Sequence, residues 1–139
     1  MGKRKFSLIS DTTQVFLLGI AAHQSDYHMA WLLNQGLGWK LSQQKSLEIS
    51  LLPGTDPTAF SRFSFQDRQE TRFTLIANHT ADGFLLDAWK NTDFLLWVSG
   101  DPTGLSKSVL IRQLRQIPGV LMAHEIPWSR KFTAFGLLE

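Results

Sequence analysis

The sequence predicts an α+β fold: a two-layer sandwich in which an antiparallel sheet carries two helices on one face. Three observations predict it. Short apolar runs of strand length recur at residues 15–22, 94–99 and 120–126, and β-rich runs, one of them alternating, lie at 47–51, 60–65 and 72–77. Only two stretches repeat apolar residues every three and four positions, one after Asp26 and one after Thr103. The resulting order is strand, helix, several antiparallel strands, helix, strand, an expanded form of the split β-α-β arrangement.

Each element has its own local reason. Residues 15–22 form a continuous apolar run, the pattern of a strand buried on both faces. Ser25 or Asp26 caps the first helix, Met29, Leu32, Leu33 and Leu37 make its stripe, and Gly36 and Gly38 end it. Residues 47–51 suit a half-buried strand that Pro53-Gly54 breaks. The runs at 60–65 and 72–77 are joined by polar residues 66–70, which makes them a hairpin. After the strand at 94–99, Gly100-Asp101-Pro102-Thr103 turns into the second helix, whose stripe is Val109, Leu110, Leu114 and Ile117. Pro118-Gly119 stops that helix, and residues 120–126 form a last buried strand.

A chain of 139 residues with 43% hydrophobic content builds one core, so residues 1–139 are expected to form a single domain. Five Trp and ten Phe are many for this interior, so some aromatic surface is expected to face outward as a contact surface. The net charge of +2 is too small to direct binding to a polyanion by itself. The absence of cysteine excludes disulfides and thiolate metal sites in this chain and agrees with a cytoplasmic setting. Lys3-Arg4-Lys5 ahead of residues 15–22 has the outline of a secretory signal, but polar residues 10–14 separate the charges from a short apolar run. No apolar stretch approaches the roughly 18 residues of a membrane span, so no membrane is expected as a partner.

Several segments bear on family. Phe84-Leu85-Leu86-Asp87-Ala88-Trp89-Lys90-Asn91-Thr92-Asp93-Phe94 is flanked upstream by Phe16-Leu17-Leu18-Gly19-Ile20-Ala21-Ala22-His23, Asp26-Tyr27 and Leu33-Asn34-Gln35-Gly36-Leu37-Gly38, and downstream by Ile117-Pro118-Gly119-Val120-Leu121. Together they resemble the IPExxxVDY family of small Bacteroidetes proteins, over nearly the whole chain from Val15 on. Leu86-Asp87-Ala88 stands where that family has Ile-Pro-Glu and Thr92-Asp93-Phe94 where it has Val-Asp-Tyr, so Asp93 alone is identical. The family carries no assigned reaction, and the resemblance therefore points to no catalytic residue.

The chemistry must be weighed from the residues. The chain has no Gly-x-Ser-x-Gly elbow, no phosphate-binding Gly-x-x-x-x-Gly-Lys and no Gly-x-Gly-x-x-Gly fingerprint. The expected function is consequently non-enzymatic, with no cofactor and no resident metal: binding of a protein partner through an aromatic sheet edge or face, with a homodimer as one form. Residues 84–94 are read as that edge, with Trp89, Asp93 and Phe94 as contact residues and Trp128 and Arg130 near the C terminus. Asp93 also has a plainer reading, a carboxylate that accepts backbone N–H groups and fixes a turn.

A polar cluster of His23, Asp26, Tyr27 and His28 stands where the first strand passes into the first helix. It is either a helix cap with Tyr27 packed beneath it, or the metal site of an enzyme built on His23 and His28, whose spacing of five does not make them converge on a helix. His79 with Asp82 and His124 with Glu125 complete the His-acid pairs. The first alternative to a protein partner, ahead of that metal enzyme, is single-stranded RNA, held by aromatics on the sheet with Arg62, Arg72 and Arg130 on phosphate. Phe60-Ser61-Arg62-Phe63-Ser64-Phe65 lacks the glycines of the RNA-recognition signature, which ranks that reading lower.

Overall fold

The computed structural model describes residues 14–100 and 106–127. Along the chain run β1 (Gln14–Ala21), α1 (Asp26–Leu37), β2 (Ser42–Ile49), β3 (Thr58–Gln66), β4 (Arg72–Ala77), β5 (His79–Thr80), β6 (Gly83–Phe84), a 3-10 turn (Asp87–Trp89), β7 (Phe94–Gly100), α2 (Lys107–Arg115) and β8 (Met122–Ile126). Six strands make one sheet in the order β2-β3-β4-β7-β1-β8, and every neighbouring pair is antiparallel. β1 and β4 run the same way with β7 between them, and β8 adds on the far side of β1. That is the split β-α-β arrangement, enlarged by the β2–β3 pair beyond β4.

Strand alternation sends successive side chains to opposite faces. Phe16, Leu18 and Ile20 of β1 join Phe94, Leu96 and Val98 of β7 in a core with Met29, Ala30 and Leu33 of α1 and Leu110, Leu114 and Ile117 at α2. Both helices therefore cover one face. Leu17, Leu95, Trp97, Ile76 and Phe60 point the other way, into a second core. Residues 78–93, the connection from β4 to β7, fold back over that face and bury Leu85 and Leu86 there. Burying each of these leucines contributes about 1.5–3 kcal/mol, which holds the connection down.

The first helix follows its sequence signals except that Gly36 lies inside it and Gly38 alone ends it. The Ser25 hydroxyl accepts from the His28 N–H at 3.3 Å, Asp26 lies in the first turn where its charge suits the dipole, and Gly38 ends the helix in the left-handed conformation with φ 70. Asn34 then clamps the exit, with its amide donating to the Leu41 carbonyl and accepting from the Leu41 N–H. The β3–β4 hairpin turns at Asp67, whose carboxylate Oδ1 accepts from the N–H groups of Gln69 and Thr71.

Four expectations need correction. β2 begins at Ser42 and bulges between Gln44 and Leu47; residues 42–45 are exposed on a sheet edge, where no apolar alternation marks a strand. The run at 120–126 is an edge strand, Met122–Ile126, with Leu121 and Met122 exposed, because β8 pairs only with β1. Val109 leaves the α2 stripe and faces solvent, while Leu110, Leu114 and Ile117 stay buried. Residues 84–94 form no edge of the six-stranded sheet: Phe84 pairs with His79 in the separate two-stranded β5–β6 sheet, β7 lies between β4 and β1, and Phe94 is 3% exposed in the helix-side core. Residues 101–105, Trp128 and Arg130 lie outside the described residues.

Candidate functional site

The connection 78–93 is organised by a residue that sequence reasoning passed over. Asn78 is fully buried, and its side-chain amide donates to the carbonyls of Trp89 (3.0 Å) and Thr92 (2.8 Å) while its Oδ1 accepts from the Leu86 N–H (2.8 Å). Its backbone N–H donates to the Asp93 carbonyl, and its own carbonyl accepts from Leu85. A buried amide with every such group engaged is a fold determinant. Asn78-His79-Thr80 has the form of a glycosylation sequon, but this burial closes the amide to any modifying group.

Asp93 accepts a backbone N–H, as the plainer reading expects, but from a distant strand end and not within a turn. Its Oδ2 accepts from the Ala22 N–H at 2.8 Å, which ties the end of β1 to the start of β7, and its Oδ1 lies 3.5 Å from His79 Nε2. Trp89 is half-buried against the second core and stacks on the His124 ring, with centroids 5.2 Å apart and planes at 27°. His124 Nε2 lies 3.2 Å from the Thr92 hydroxyl and Nδ1 lies 3.2 Å from the Glu125 carbonyl. That carbonyl only accepts, so Nδ1 is the donor there, and in the neutral ring Nε2 takes the hydroxyl proton. Hydroxyl and imidazole are the ingredients of an activated nucleophile; Thr92 itself is 2% exposed, at the wall of a pocket of about 340 Å³ that Trp89, Met122 and His124 also line. Gly19 makes the packing possible: a Cβ there would meet His124 Cε1 and Thr92 Cγ2 at 2.9 Å.

The sheet offers little else. Asp93 N–H donates to the Ile20 carbonyl, so Ile20 faces β7, Gly19 and Ala21 face β8, and the backbone groups of Ala123 and Glu125 point outward along the free edge. Both outward carbonyls are occupied, Ala123 by Arg115 Nε (2.9 Å) and Glu125 by the His124 ring. At the other edge the bulge kinks β2, and Arg62 Nε donates to the Lys45 carbonyl at 2.9 Å. Bulges and charged side chains at edges oppose strand addition. The sheet face that an RNA-recognition module would use carries Phe60 and Trp97, and both are buried beneath the second core. Arg62 and Arg72 lie on that face by strand parity, without an exposed ring from β3, β4, β7 or β1 beside them to stack a base.

Among the described residues the most exposed aromatics are instead on α1. Tyr27 is 64% exposed and Trp31 is 53% exposed, one turn apart on the same stripe. Tyr27 does not pack beneath the helix: its hydroxyl donates to Gln43 Oε1 of β2 at 2.6 Å, and its ring meets Phe63 edge-on at 5.5 Å. His28 stacks on Trp31, with centroids 5.6 Å apart and planes at 13°. Of the polar cluster, Tyr27 and His28 thus belong to one ordered surface, Asp26 starts the helix, and exposed His23 takes no part in the cap that Ser25 supplies. Among the described residues no three His, Asp or Glu side chains gather as a metal set would. The signal for this surface in the sequence was Tyr27 and Trp31 at i, i+4 on the side opposite Met29, Ala30 and Leu33. No protein-family model matches the chain, and no curated protein matches it.

Proposed function

We propose that this chain is a non-enzymatic binding protein whose partner is another protein, held on the aromatic face of α1. The observation that carries the proposal is the pair Tyr27 and Trp31, each more than half exposed yet already fixed by neighbours. Aromatic side chains held in place lose little rotamer freedom on binding, and Trp and Tyr are frequent hot spots. The guarded sheet edges and the covered sheet face support a helix surface over a strand edge. The proposal includes membership of the IPExxxVDY family as a divergent sequence, and a cytoplasmic setting that the absence of cysteine supports. Among the described residues no helix is long and apolar enough to cross a membrane.

The test is a tagged pull-down from the native host with wild-type protein and a Tyr27→Ala/Trp31→Ala variant, each with and without ribonuclease. A partner that survives nuclease with the wild type and is lost from the folded variant supports the proposal; a second copy of this chain would be seen as a dimer that the variant dissolves. Equal capture by both proteins overturns the choice of α1. Partners lost with the RNA overturn the protein reading in favour of nucleic acid.

A further inference from the structure

A groove of about 600 Å³ lies at the other end of α1, between its C-terminal turn, the β3–β4 hairpin and α2. One wall is a cluster of three rings. Phe65 and Phe73 are directly opposite each other in the β3–β4 register and stack at 5.2 Å, and Trp39 packs on Phe73 at 4.4 Å and on Phe65 at 5.4 Å. The local chain explains how Trp39 arrives there: Gly38 turns it off the helix in the left-handed conformation, and the Asn34 clamp fixes Leu41 just beyond. Phe73 is buried, while Trp39 and Phe65 remain half-buried against the open space. Gly36 closes the two helices at the base of the groove, since a Cβ there would stand 3.0 Å from Ile117 Cγ1.

The polar lining is small and specific. Asp67 is held by its Oδ1 contacts to the hairpin, which leaves its second oxygen without a contact among the described residues. Gln113 and Gln116 of the α2 end line the opposite side, their amides likewise without partners among the described residues. Among the described residues no Lys or Arg lines the groove. The volume suits a small organic ligand, and pockets of this kind combine an apolar wall with a few placed polar groups.

From the ring wall, one fixed carboxylate and two amides without a lining cation, we infer that the groove binds a flat, uncharged heteroaromatic molecule bearing N–H donors, of the size of a purine nucleoside. The rings supply a stacking platform for a planar ligand. The Asp67 carboxylate accepts an N–H and opposes an anion, and each glutamine offers both a donor and an acceptor to a heterocycle edge. The site is independent of the Tyr27 and Trp31 surface, which lies at the opposite end of α1.

The experiment titrates the full chain, labelled with ¹⁵N, against adenosine and guanosine, with benzoate as a flat anion. The inference expects at least one nucleoside to shift the Trp39 indole N–H and the Gln113 and Gln116 side-chain amides saturably, and benzoate to leave them unmoved. Asp67→Asn keeps an oxygen for the hairpin N–H groups but turns the second acceptor into a donor, so affinity falls about tenfold, as for loss of one hydrogen bond to a charged group. Trp39→Leu weakens binding by roughly tenfold or more through lost stacking. If Trp39→Leu fails to fold, Asp67→Asn decides. Absence of a saturable shift with both nucleosides, equal binding of benzoate, or unchanged affinity in folded Asp67→Asn overturns the inference.

Discussion

Replacing Asn78 by alanine removes three hydrogen bonds from a fully buried side chain and leaves their partners in place. The partners are not equally harmed. The Trp89 carbonyl still accepts from the Thr92 N–H, so it loses one of two contacts, whereas the Leu86 N–H loses the acceptor that the structure gives it. Buried hydrogen bonds contribute about 1 kcal/mol each, and a buried group left unpaired costs roughly 1–3 kcal/mol, so the three together come to about 3–5 kcal/mol. Asn78→Asp should cost at least as much, because a carboxylate oxygen would then face the Trp89 and Thr92 carbonyls in a buried site. Urea denaturation measures the loss, with hydrogen exchange of Leu85, Leu86 and Thr92 separating local release of residues 78–93 from global unfolding. Asn34→Ala, which breaks two contacts at a partly buried site, serves as the comparison and should cost less. A loss below about 1 kcal/mol for Asn78→Ala would refute the reasoning that this amide holds the connection on the sheet.

Two further outcomes follow from the packing. Gly19→Ala places a methyl 2.9 Å from His124 and Thr92, so the ring must leave its stack on Trp89; a destabilisation of about 1–3 kcal/mol is expected, read by thermal or urea unfolding together with the His124 ring shifts in NMR spectra. Phe94→Ala opens the helix-side core and should cost about 3–5 kcal/mol in the same assay, while any loss of partner binding follows the unfolded fraction alone; a folded Phe94→Ala protein that binds nothing would contradict a purely structural role.

The elements with a periodicity of their own were legible. Central β1 and β7 are buried on both faces, so continuous apolar runs marked them, and α1 carried stripe, cap and terminating glycine together. Legibility failed where pairing rather than pattern decides. Residues 42–45 become a strand only because β3 lies beside them, and an apolar run such as 120–126 does not tell a central strand from an edge, since that depends on whether a second neighbour exists. The placement of residues 89–94 has the same root. Trp89, Asp93 and Phe94 lie close in sequence, but alternation and the turn send Phe94 to the helix-side core, Trp89 to the opposite face and Asp93 to the backbone of Ala22.

The distribution of aromatics then follows from the covering of the second face. In a two-layer domain the sheet face away from the helices is the natural recognition surface, and aromatic residues there would stay open. Here residues 78–93 lie across it, held by the Asn78 amide inside and by Leu85 and Leu86 against Leu17, Leu95 and Trp97. Phe60 and Trp97 are thereby spent on stability. Along the edges, Arg115 and β8's own His124 occupy the Ala123 and Glu125 carbonyls, and a bulge with Arg62 on the Lys45 carbonyl interrupts β2. Among the described residues the two most exposed aromatics, Tyr27 and Trp31, sit on the helical side at one end of α1, and half-buried Trp39 and Phe65 lie at the other. One helix therefore connects the convex surface to the concave one. Since α1 also supplies Met29, Ala30 and Leu33 to the core, the same packing that anchors the helix holds both surfaces in place.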